Sequence, residues 1–147
     1  MIAVRGIRGA INVARNDRRE IFARTQELLR AMLEVNQIRQ ESIAAAFFTL
    51  TPDLNADFPA YAARDLGWKK VPMMCASEIG VPGAMARVIR VMLLVNTPRP
   101  ASKIRHLYLG ETPCLRPDLA GDDRKKSARK SSRRNSASTR TSAGGTR

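Results

Sequence analysis

The stretch from Arg87 to Val95 constrains the fold more than any other part of the chain. Val88, Met92 and Leu94 share one parity; Ile89, Val91, Leu93 and Val95 share the other. A strand with both parities apolar is expected to be covered on both faces. Arg90 stands in its middle. A guanidinium buried there is costly unless an anion pairs with it. Either a carboxylate of the protein or a ligand must supply that anion.

The rest of the chain supplies partners for this strand. From residue 17 to 35 the positions Ile21, Phe22, Thr25, Leu28, Leu29, Met32 and Leu33 recur at helical spacing. Asp17 is placed to cap that helix. Further strands are expected over 1–13, 42–51, 70–76 and 104–111, with the two-sided apolar one running over 88–96. Residues 51–55, Thr-Pro-Asp-Leu-Asn, read as a turn. A short helix fits 58–66, with Pro59 tolerated in its first turn. There is no internal repeat. One long helix after the first strand, and short loops between most strands, predict a mixed α/β or α+β domain.

The composition changes near residues 118–121, which sets the expected domain at 1–120. Residues 121–147 contain no aromatic residue and no Leu, Ile, Val or Met. Such a segment cannot bury enough apolar surface to offset the entropy of ordering, so it reads as a disordered tail. It carries nine Lys/Arg against two Asp, about half of the chain's net charge of +13. Electrostatic contact with nucleic acid or an acidic partner is one reading of it; a solvated extension without a dedicated role is the other.

Several classes are disfavoured. No apolar run reaches the ~18 residues of a membrane span. The N-terminus lacks the charged start and apolar stretch of a signal peptide, so a cytoplasmic protein is expected. Two cysteines, Cys75 and Cys114, and one histidine, His106, are too few ligands for a zinc site, and no metal is expected.

Arg8 resembles Arg90 in its placement. It shares parity with Ile2, Val4 and Gly6 and so points to the apolar face of its strand. Tyr108 shares a face with Ile104 and His106. Inward cations on different strands suggest a small anionic ligand, because the planar guanidinium fork matches a carboxylate. Glu78 follows a strand and can complete the site. Cys75, three residues earlier, reads first as a small buried hydrophobe. Residue patterns alone lead to an α/β domain with a cationic pocket, and they name no reaction.

Six segments carry a family resemblance, in order across residues 1–119. They are Arg5-Gly-Ile-Arg-Gly-Ala10; Thr51-Pro-Asp-Leu-Asn-Ala56 with Phe58-Pro-Ala60; Val71-Pro72 leading to Cys75 and Glu78; Ile89-Arg-Val-Met92; Ile104-Arg-His-Leu-Tyr108; and Leu115-Arg-Pro-Asp-Leu119. The chain resembles the monofunctional chorismate mutases of mixed α/β fold, as opposed to the all-helical class. The resemblance implies an α+β homotrimer of chorismate-mutase-like pseudo-α/β-barrel form, with sites in clefts between subunits. It implies an isomerase of aromatic amino acid biosynthesis that turns chorismate into prephenate without a cofactor. It assigns catalysis to Arg90, Arg8 and Glu78. Substrate contacts fall to these three and to Met74, Cys75, Ala76, Ser77, Tyr108, Phe58, Arg64, Leu115 and Arg116. Met74 departs from the pattern, which often has a small polar residue there. The competing expectation is a trimer of the same fold that binds a small anion without turning it over.

Overall fold

The computed structural model describes residues 1–116. In chain order they form β1 (Ala3–Asn12), α1 (Arg18–Asn36), β2 (Ile43–Leu50), α2 (Pro59–Asp65), β3 (Met73–Ser77), β4 (Val88–Thr97) and β5 (Leu107–Tyr108). Short 3-10 turns lie at Gln40–Ser42, Ala101–Lys103 and Thr112–Leu115. All five strands join one sheet in the order β3-β2-β4-β1-β5. The α+β class is as expected. The basic segment 121–147 lies outside the described residues.

β4 is the middle strand of the sheet. It pairs antiparallel with β1 from Ala3↔Thr97 to Asn12↔Val88, and antiparallel with β2 on its other side. β3 and β5 are added parallel, to β2 and β1 respectively. The helix α1 begins as the sequence indicates: the Asp17 carboxylate accepts from the backbone N–H of Arg19 and Glu20, filling two of the four donors that a helix start leaves open. Ile21, Thr25, Leu28, Leu29 and Met32 are buried along one stripe and pack on Ile7, Ile11, Phe48, Ile89, Val91 and Leu93. This apolar layer between α1, α2 and one sheet face is the core. The Thr25 hydroxyl is buried in it without a hydrogen-bond partner among the described residues.

Gly9 sets the distance between β1 and α1. It is buried, and a Cβ added there would run into the side chains of Met32 and Leu28. The glycine lets the helix approach the strand at that point.

The expectation that β4 is covered on both faces does not hold within one chain. The helices cover only the face of Ile89, Val91, Leu93 and Val95, all of which are buried. On the other face Arg90 and Asn96 are exposed and Met92 and Leu94 are half-buried. Arg8 lies on this second face too and is partly accessible. Neither arginine is therefore a buried charge here; the single helical layer leaves them to solvent. The same face exposes Val4 (56 %), Phe47 (40 %) and Met74 (67 %).

β3 and β5 each start three residues later than their sequence suggests. β3 starts at Met73 because Pro72 has no N–H for a ladder, although its carbonyl accepts from Ala46 at 2.9 Å. β5 keeps only two residues of the expected eight. The side chain of Asn36, buried at the end of α1, takes both main-chain groups of Arg105: Nδ2 donates to its carbonyl at 2.9 Å and Oδ1 accepts from its N–H at 2.8 Å. Gly110, at φ +62°, then turns the chain away from the sheet. Among the described residues no helix is long and apolar enough to cross a membrane.

Candidate active site

Strand register brings the predicted arginines together. Arg8 is opposite Met92, and Ala10 is opposite Arg90. Alternation puts Arg8, Ala10, Arg90 and Met92 on the open face. Across the other ladder Thr49 is opposite Arg90 and Phe47 opposite Met92. A cleft of about 330 Å³ opens over these residues, and Glu78, Tyr108, Leu115 and Arg116 complete its lining. That volume falls within the ~300–1,000 Å³ common to small-ligand sites.

Glu78 lies just past β3 and continues its register, its N–H donating to the carbonyl of Leu50 at 2.8 Å. Its carboxylate therefore faces the same side as Thr49 and Arg90. The Thr49 hydroxyl donates to Oε2 at 2.8 Å, and Arg90 Nε stands 3.8 Å from the same oxygen. At that separation the pair is electrostatic, not a hydrogen bond. The Arg90 side chain keeps 50 % of its surface accessible, so its donors can still serve a ligand. This answers the question of what neutralises Arg90: a protein carboxylate does so in part, with capacity to spare.

His106 meets the main chain of one of the cleft's arginines. Its Nδ1 accepts the backbone N–H of Arg8 at 3.0 Å. Burial, with the positive charges of Arg8 and Arg116, pushes its pKa below the ordinary histidine value.

A second cleft, of about 400 Å³, lies elsewhere on the chain. Residues 51–58, the end of β2, Cys75, Ala76 and Ser77 line it, and Phe58 is at its rim with 57 % of its surface exposed. Strand alternation explains the separation. Cys75 and Ser77 point to the helical side of the sheet and Glu78 to the open side. Burial under α2 pushes the Cys75 thiol pKa up, against the Ala60 amide and the Arg64 charge, which pull it down. The reading of Cys75 as a small buried hydrophobe holds in part: the residue is half-buried and packs against the core.

The loop carrying Phe58 is tied to the start of α1. Asn16 Oδ1 accepts from the N–H groups of Asn55 and Ala56 at 3.1 and 3.0 Å. Arg18 Nε pairs with Asp57 at 2.8 Å. The Phe58 N–H and Arg18 together hold the Asp57 carboxyl below its ordinary pKa.

The predicted site residues thus divide. Arg8, Glu78, Arg90, Tyr108, Leu115 and Arg116 share the first cleft; Phe58, Cys75, Ala76 and Ser77 share the second. Arg64 lines neither, lying over the ring of Tyr61 at 5.3 Å and close enough to act on Cys75. Met74 also lines neither and is paired with Phe47 on the open face. Sequence reasoning missed Thr49 and the tie between His106 and Arg8. The parity of Thr49 opposite Arg90 was available once the β2–β4 pairing was known; the His106 contact joins a side chain to a distant main chain and leaves no pattern. Among the described residues no group of three or more His, Cys, Asp or Glu gathers where it could hold a metal ion.

Comparison with known proteins bears on what such a cleft does. Residues 4–119 match the family described as chorismate mutase type I. A chorismate mutase from Thermus thermophilus is 51 % identical over 117 residues, which cover 79 % of this chain and 96 % of that protein. One from Bacillus subtilis is 44 % identical over 118 residues, covering 80 % and 93 %. The solved structure of a chorismate mutase from Clostridium thermocellum superposes with a TM-score of 0.74 at 44 % identity, covering 75 % of this chain and 98 % of that one.

Proposed function

Since this chain belongs to the chorismate mutase type I family, we propose that it isomerises chorismate to prephenate in a site that two copies of the chain build together. The observation that carries this reading is the division of the site residues. A small ligand cannot touch Arg90 and Cys75 of one chain at once, because their side chains leave the sheet on opposite faces. A neighbouring copy that brings its Phe58–Cys75 cleft against the Arg8–Arg90 cleft unites the two halves. The exposed apolar face around Val4, Phe47 and Met74 favours such packing, since a contiguous apolar patch on a sheet marks a surface that a partner covers. A closed trimer satisfies this arrangement for three identical sites at once and gives the pseudo-barrel form.

The rearrangement breaks an ether C–O bond while a C–C bond forms, and no proton moves. Two physical effects supply the rate. The first is shape. Arg8 clamps a carboxylate, Tyr108 assists, and the partner's apolar wall holds the substrate in a compact chair with its reacting carbons close. The second is charge. Negative charge grows on the ether oxygen as the C–O bond breaks, and a fixed guanidinium beside it binds the transition state better than the ground state. Arg90 takes that part, oriented by Glu78, whose other oxygen accepts from the substrate's ring hydroxyl. The enzyme belongs to aromatic amino acid biosynthesis in the cytoplasm, with residues 1–120 as the catalytic unit.

Loss of chorismate absorbance in the ultraviolet, with purified protein and excess chelator, tests the activity. Absence of turnover from folded protein would favour an anion-binding role for the same cleft. The shared site is tested by mixing. Arg90→Ala copies and Cys75→Trp copies, each inactive alone, should recover activity when refolded together, because some sites then join an intact Arg90 to an intact Cys75. No recovery from mixed assemblies would sink the two-copy site.

A further inference from the structure

His106 is the chain's one histidine, and the mechanism above gives it no task. Its surroundings are specific. Along the parallel β1–β5 ladder Gly9 pairs with Leu107 and Ala10 with Tyr108, so Arg8 and His106 come next in register. The ladder stops there because Asn36 holds the peptide groups of Arg105. The Arg8 N–H is received by a ring nitrogen instead of a main-chain carbonyl, at 3.0 Å. A ring nitrogen that accepts carries no proton, so the proton of the neutral ring sits on Nε2.

We infer that His106 is a positioning residue: its neutral ring fixes the backbone of Arg8, and thereby the direction from which the Arg8 guanidinium meets a substrate carboxylate. The inference rests on the reading of Arg8 as a carboxylate clamp. Edge position makes the tie matter. β5 gives Arg8's strand only two paired residues on this side, so the ring is what continues the edge past Gly9. The charged groups facing His106 among the described residues are Arg8 from β1 and Arg116 beyond the last 3-10 turn. α1, packed behind the same segment, contributes the uncharged Asn36. Two cations and partial burial keep the ring neutral down to below the ordinary histidine range. Protonation would place an N–H donor against the Arg8 N–H donor and break the tie.

Three measurements on the full chain test this. First, His106→Phe keeps an aromatic ring without an acceptor, and should raise KM for chorismate about five- to tenfold with kcat nearly unchanged, the size expected for one lost hydrogen bond. His106→Asn presents Oδ1 near the place of Nδ1 and should bring KM back to within about twofold of the native value. Second, KM of the native enzyme should stay level through the ordinary histidine range and rise only at pH values below it, while His106→Asn, which cannot titrate, stays flat relative to it. Third, the ring ¹⁵N shifts of the native protein at neutral pH should report an unprotonated Nδ1. Equal KM in all three proteins, parallel pH profiles, or a protonated Nδ1 would each overturn the inference. If His106→Phe fails to fold, the pH comparison with His106→Asn decides. Arg8→Ala in the same assay separates the two readings: unchanged KM there overturns the clamp together with this inference, whereas a raised KM there beside a native-like His106→Phe overturns this inference alone.

Discussion

Arg8 and Arg90 stand on one face of the sheet a single diagonal step apart, Arg8 paired with Met92 and Arg90 with Ala10. Diagonal neighbours in an antiparallel ladder lie ~7–8 Å apart. Two arginines rooted at that spacing can direct their guanidinium groups to a ligand with two anionic ends, or one anionic end and one oxygen that gains charge. The backbone, and not a flexible loop, fixes that spacing.

Arg90→Ala should therefore reduce kcat by about 10³-fold, the order found when a donor to a developing oxyanion is removed. Arg90→Lys should recover little of this, because a point charge cannot reproduce a planar fork that meets substrate and Glu78 together. Steady-state kinetics check both, and near-native turnover in Arg90→Ala would remove Arg90 from the reaction.

The buried Thr25 hydroxyl offers a test that leaves the site alone. It has no partner among the described residues, so the folded state bears the loss of its hydration. Thr25→Val keeps the shape and removes the polar atom, and should stabilise the fold by ~1 kcal/mol. Urea unfolding measures this; a destabilised variant would mean that the hydroxyl finds a partner after all.

Gly110→Ala should act in the opposite sense. The residue sits at φ +62°, and an added Cβ would meet the side chain of Asn12, whose Oδ1 accepts from Glu111 N–H at 2.8 Å. A side chain forced into a left-handed turn costs more than ~1 kcal/mol. A fall in Tm is expected, together with a rise in KM, because this turn leads to Leu115 and Arg116.

The two cysteines should differ in reactivity. Alkylation needs the thiolate. Burial raises the Cys75 pKa, so a smaller fraction of it is thiolate at a given pH and its labelling should be slow. Cys114 is exposed and should react first. Mass spectrometry of protein treated with iodoacetamide at pH 7.5 distinguishes them; faster labelling of Cys75 would contradict its placement under α2.

Removal of residues 121–147 should leave kcat within a few-fold of the full chain, since the described residues already contain every proposed contact. The same truncation should lower any affinity for nucleic acid, an affinity that would fall steeply with added salt. Assay of residues 1–120 and a salt titration check both halves.

What could be read from the sequence was what local periodicity records. The α1 stripe, its Asp17 cap and the strand character of β4 follow from residues close together in the chain. So did the shared strand face of Ile2, Val4, Gly6 and Arg8. The covering of that face was misjudged, because apolar character in a strand says that a neighbour is wanted and not which molecule supplies it. β5 was overestimated for a different reason: Asn36, far away in sequence, takes the main-chain groups that a longer strand needs. Cys75 and Glu78 are three residues apart, yet an odd step along a strand sends them to opposite faces. Their division between two clefts became visible only with the register.

Gly9 lies between Arg8 and Ala10 on the strand that carries the clamp, and its missing side chain admits Met32 and Leu28 from behind. The rear of the cationic cleft is thus a wall without thickness to spare. A larger residue at position 9 would have to lift the strand away from the helix, carrying Arg8 forward and tilting it against Arg90. Substrate fit is in this way adjustable from the dry side of the sheet: a change at Gly9, Leu28 or Met32 would alter the reach of an arginine whose guanidinium lies on the opposite face, and a search for altered specificity could begin in the core.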